Sequence, residues 1–190
     1  MGATVWGTYT GMDAGVAAVV GAAVGMLGGS TAGWMALVGQ ARQQERQQLF
    51  DRQRRMEEAR REAYSSCISA SKQVSARWWR VAAALRAGTS TAQQWKAEAA
   101  EAHAAWAPFS AAVATVTVVG PAPVAQAAEE LRRSMLALDR AAVAWHEAAQ
   151  ATGRGDLPDF DERYMEAVAA KRQPGKAFQQ AARTALGADT

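Results

Sequence analysis

Four stretches of the chain carry apolar residues at alternating spacings of three and four, the pattern of helices that bury one face. The first holds Tyr64, Cys67, Val74, Trp78, Val81 and Leu85, and the second Ala92, Trp95, Ala99, Ala102, Trp106, Phe109, Val113 and Val116. Val124, Ala128, Leu131, Met135, Leu138, Ala142 and Trp145 form the third, and Phe160, Tyr164, Ala167, Phe178, Ala181 and Ala185 the fourth, interrupted at Pro174-Gly175. Turn signals separate them. Gly88-Thr89-Ser90-Thr91 breaks the chain and offers two capping-box spacings, Ser90 to Gln93 and Thr91 to Gln94. Gly120-Pro121-Ala122-Pro123 is a tight reversal, and a loop runs from Thr152 to Pro158. Pro108 removes a backbone donor inside the second stretch, and because the stripe keeps its phase across it, a kink is expected rather than an end. Val113 to Val119 is β-branched, yet a lone strand would have nothing to pair with, so helix is expected there too. Short turns between four such helices predict an antiparallel four-helix bundle over residues 63–187.

A different pattern precedes these stretches. Between Asp13 and Arg42 lie 28 consecutive residues without a charge. At ~1.5 Å per residue that is enough to cross a hydrocarbon layer of about 30 Å. Trp6, Tyr9 and Trp34 stand where the two interfaces would be. The amino-terminal flank carries no Lys or Arg, which argues against a cleaved signal peptide. The opposite flank carries Arg42, Arg46, Arg52, Arg54 and Arg55, and the positive-inside bias then keeps the carboxyl-terminal side in the cytoplasm. The expected layout is a short external tail at 1–13, a membrane helix at 14–39 and a juxtamembrane helical stalk at 40–62, anchored in a bacterial plasma membrane. Gly21, Gly25, Gly29 and Gly33 recur every four residues, a spacing that lets a second helix backbone approach closely.

From Gln40 to Ala87 there is no Pro and no Gly, so one long helix is expected to leave the membrane directly. Its first part interleaves Arg with Glu45, Asp51, Glu57, Glu58 and Glu62 and reads as a solvated face.

Composition removes several function classes. Two His and one Cys cannot build a His/Cys metal cage or an internal disulfide. No Glu-x-x-His, P-loop, G-x-S-x-G or G-x-G-x-x-G pattern accompanies the helices, so no enzyme, cofactor or small-molecule substrate is expected. With 21 basic against 18 acidic side chains there is little field to concentrate on phosphates, and no nucleic acid is expected as a partner. The 47 alanines and the excess of Arg over Lys, 17 to 4, reflect GC-rich coding as much as chemistry. Cys67 sits on a core stripe and reads as a small buried apolar residue. Trp78, Trp95, Trp106 and Trp145 read as core, whereas Trp79 cannot share the face of Trp78 and is the candidate exposed contact. Arg154-Gly155-Asp156 matches an adhesion string and is taken as coincidence.

The run Ala41-Arg42-Gln43-Gln44-Glu45-Arg46, the segment Arg60-Arg61-Glu62-Ala63-Tyr64 and the turn Val118-Val119-Gly120-Pro121 ahead of Val124, together with the Gly/Ala-rich span, resemble small single-span helical membrane proteins of high-GC Gram-positive bacteria and their mobile elements. The resemblance implies the same membrane-plus-bundle layout and no activity. The expected function is a membrane-anchored cytoplasmic interaction module that contacts the lipid bilayer and self-associates or recruits a protein. The alternatives are a holin-like or toxin-like pore former and a soluble helical homo-oligomer.

Overall fold

The structure, a computed structural model, describes residues 13–188, and side chains from residue 47 onward. Among the described residues there are six helices and no strand: α1 (Asp13–Arg86), α2 (Ala92–Ala104), α3 (Trp106–Val119), α4 (Ala122–Thr152), α5 (Pro158–Ala170) and α6 (Arg172–Ala185). The chain divides into two compact units, residues 1–53 and residues 54–190. In the first unit the chain is helical from Asp13, and its described side chains, residues 47–53, are all exposed.

The second unit is helical and bundle-like, and its core is the set of stripes predicted from spacing. Every predicted stripe residue of α1 and α4 is buried, and so are Trp95, Ala99, Ala102, Phe109, Val113 and Val116 of α2 and α3. Ala63, Ala70, Ala82, Ala112, Ala149 and Ala182 join them. Ala70 and Ala149 fall on the stripes and the others sit beside stripe positions, and their lack of bulk lets neighbouring helices close over them. Two expectations on the second stripe fail: Ala92 is exposed at the first turn of α2, and Trp106 is only half-buried, lying edge-on to Phe109 at 5.5 Å. In the last stripe only Tyr164 and Phe178 are fully buried, while Phe160, Ala167, Ala181 and Ala185 are half-covered.

The two interior prolines act by one rule. A proline ring has no N–H for the carbonyl four residues earlier and collides with it. For Pro108 that carbonyl belongs to Ala104, the last residue of α2, and for Pro174 it belongs to Ala170, the last residue of α5. The helices therefore open at Ala105 and Lys171, three residues before each proline. This corrects the expected interruption at Pro174-Gly175, both of which lie inside α6. Hydrogen bonds continue on either side of each opening, from Ala105 to Glu101 at 3.3 Å and from Gly175 to Lys171 at 3.1 Å. At the start of α2 the capping box is Thr91 with Gln94: the Gln94 N–H donates to Thr91 Oγ1 at 3.3 Å, and the Thr91 N–H donates to Gln94 Oε1 at 2.8 Å.

The run Ala92–Val119 is long and apolar enough to cross a membrane by length and composition. Seven of its side chains belong to the core, from Trp95 to Val116, and the outer face of α2 carries Lys96, Glu98 and Glu101. Part of its apolarity thus serves the packing of the second unit, while Val118 at its end is 84% exposed.

Beyond α4 the chain turns through Gly153, whose φ of 68° is a left-handed helix cap, to Gly155. Gly155 is buried against the end of α1, and a β-carbon there would overlap the Leu85 carbonyl. Its own carbonyl accepts the Trp145 indole N–H at 2.9 Å. Gly155 of the adhesion-like tripeptide is therefore part of the fold, while Arg154 and Asp156 on either side of it are exposed.

Two alanine substitutions test this with opposite signs. Gly155→Ala should lower unfolding free energy by about 1–3 kcal/mol through overpacking. Gly175→Ala, in a helix with nothing within 4 Å of the new methyl, should raise it by about 0.5–1 kcal/mol in the same urea titration.

Candidate functional site

The opening at Lys171 places a lysine where α5 meets α6. Its ammonium donates to Ser75 Oγ of α1, and Ser75 in turn donates to the Ser71 carbonyl at 2.9 Å. Lys171 lines a cleft of about 340 Å³ together with Lys72 of α1 and Arg172 and Lys176 of α6, over a floor that includes Leu131 and Met135 of α4. No carboxylate lines it. None of these four cations belongs to an ion pair among the described residues. Burial lowers the Lys171 ammonium below its ordinary value, and the neighbouring Arg172 charge lowers it further.

A second polar node pins α5 to the end of α1. Arg86 donates from Nε to Asp161 Oδ2 at 2.9 Å and from Nη2 to Oδ1. Its guanidinium lies 5.4 Å from the Trp79 ring and 5.3 Å from the Trp145 ring. These hydrogen bonds raise the Arg86 value and hold the Asp161 carboxyl below the usual carboxylate range. Trp79 is 46% exposed, and its ring also borders this node.

The two histidines come together near a carboxylate. The Trp78 indole N–H donates to Asp139 at 2.9 Å, and the His103 ring meets Trp78 edge-on at 5.2 Å. Burial raises the Asp139 carboxyl, against the opposing pull of the Trp78 hydrogen bond and His103. Burial lowers His146, and His103 adds to the effect. No group of three metal-binding side chains forms among the described residues.

The residues singled out from sequence fall into two sets. Trp6, Tyr9, Gly21, Gly25, Gly29, Gly33, Trp34, Arg42 and Arg46 lie outside the residues whose side chains are described. Arg52, Arg54 and Arg55 are exposed on α1, where Arg54 pairs with Glu58 at 3.0 Å. An exposed pair of this spacing contributes only about 0.3–0.5 kcal/mol. Sequence reasoning missed Lys72, Lys171, Arg172 and Lys176. The available signal was scarcity: three of only four lysines in the chain line one cleft. No known protein family, curated protein or solved structure matches the chain.

Cys67 is fully buried, and desolvation pushes its thiol up to about 11. The folded value stands above the free thiol's ~8.5, so this contribution to stability is complete below pH ~8.5 and lost as pH rises toward 11. At pH 8 an aromatic disulfide reagent should label the folded protein about a hundredfold more slowly than the urea-unfolded chain. Equal rates would place the thiol outside the core.

Proposed function

We propose that the chain is a non-catalytic, membrane-anchored helical interaction module, with residues 14–39 crossing the bilayer and the carboxyl-terminal unit in the cytoplasm. The uncharged run after Asp13 and the arginines from Arg42 onward support the anchor and its orientation. In this reading the second unit is an antiparallel four-helix bundle in which α2 with α3, and α5 with α6, each act as one kinked helix.

The observation that carries the interaction role is on α1. Leu49, Phe50 and Met56 are 63%, 71% and 48% exposed. Leu49 and Met56 share a heptad position with the buried Ala63 and Ala70, and Phe50 shares one with the buried Tyr64, Trp78 and Leu85. The apolar stripe of α1 thus continues past the last residue that the core covers. A second copy of the same helix offers the same stripe at the same height, so the occupant proposed is another chain, paired in parallel through the stalk.

The test uses the full chain in membranes, with a carboxyl-terminal tag, Cys67→Ala and Phe50→Cys. The tag should resist carbonate extraction and be shielded from protease outside spheroplasts. Oxidation should crosslink two chains through the introduced thiols, and adding Leu49→Glu with Met56→Glu should cut the yield about tenfold or more. Carbonate release would overturn the anchor, and a crosslink indifferent to the glutamates would overturn the stalk pairing.

A further inference from the structure

We infer that the lysine-lined cleft between α1, α4 and α6 is a binding site for a phosphate-bearing ligand. Lys72, Lys171, Arg172 and Lys176 line one cleft that has no acid in its wall, and none has an ion-pair partner. Several other described cations have an acid partner instead. Arg77 is balanced by Glu101, Arg86 by Asp161, and Arg132 and Arg133 by Glu129. Collecting four like charges without a counterion raises the free energy of the empty site, and an anion that enters relieves it.

The choice of anion follows from the donors. Lysines are compact point charges with three rotatable donors each, suited to a tetrahedral oxyanion approached from several sides, and Arg172 adds a planar fork for two of its oxygens. The cleft volume of about 340 Å³ exceeds what one phosphate fills. Leu131 and Met135 below the cations give an apolar seat to the group that the phosphate is esterified to. Lys171 is already tethered, through Ser75, to the backbone of α1, so part of its ordering cost is met before a ligand arrives. Burial and Arg172 already depress its ammonium, and a bound dianion would reverse that depression.

Such a phosphate can belong to a soluble ester or to a lipid headgroup, and one experiment separates them. Full-length protein in a nonionic detergent is titrated by calorimetry with inorganic pyrophosphate, with short-chain phosphatidylglycerol and with short-chain phosphatidylcholine, all at constant ionic strength. The site predicts a saturable isotherm for pyrophosphate or phosphatidylglycerol. Lys72→Gln with Lys176→Gln, both exposed and harmless to folding, should weaken it about tenfold or more, and Lys171→Gln should do the same. Lys96→Gln removes the one lysine outside the cleft and should leave it unchanged. Tighter binding of pyrophosphate assigns a soluble ester, and tighter binding of phosphatidylglycerol a lipid headgroup. No saturation with either, binding that phosphatidylcholine equals, or a loss that Lys96→Gln reproduces would overturn the inference. The titration needs no bilayer, so its outcome does not hang on the anchor proposed above.

Discussion

The guanidinium of Arg86 lies between the rings of Trp79 and Trp145 while it donates to both carboxylate oxygens of Asp161. It closes the last turn of α1 against the first turn of α5, across the loop in which Gly155 has no side chain to hold Leu85 off. A charge-assisted, two-bond contact of this kind is geometrically strict, and stacking on two aromatic faces fixes the plane of the fork. The side chains are each about a third exposed, so solvent screens the charge, and its importance here is directional more than energetic. It sets where α5 begins, and everything after α5 inherits that setting.

At the far end of α5 comes the opening that Pro174 imposes. Because α5 is docked at Asp161 and buries Tyr164, the three-residue rule places Lys171 beside Ser75 of α1. The rest of α6 returns Phe178 to the core, edge-on to Tyr64 at 6.4 Å. The cationic cleft is thus a consequence of two events, a salt link at one end of α5 and a missing N–H at the other. Elsewhere in the unit the Cys67 thiol is buried, His103 packs edge-on to Trp78, and Asp139 accepts the Trp78 indole N–H.

Much of the helical core was legible because its signal is local. Val74, Trp78, Val81 and Leu85 lie three or four residues apart, and so do Leu131, Met135 and Leu138, and a period of that kind needs no knowledge of partners. The breaks were legible in kind but not in place: proline marks its own position in the sequence, whereas the helix opens three residues upstream. The cleft was hidden, because Lys72 and Lys171 stand ninety-nine positions apart and their meeting is a tertiary fact. Arg86 and Asp161 were hidden in the same way, each reading as an ordinary surface charge until α5 turns back onto α1.

The Arg86–Asp161 link docks α5 and α6 as a unit and so builds the cleft. Native-state hydrogen exchange on Asp161→Asn beside the parent protein tests it most directly. Amides of α5 and α6 should lose protection by about tenfold or more while those of α4 keep theirs. Unchanged protection in α5 and α6, or an equal loss across every helix, would contradict it.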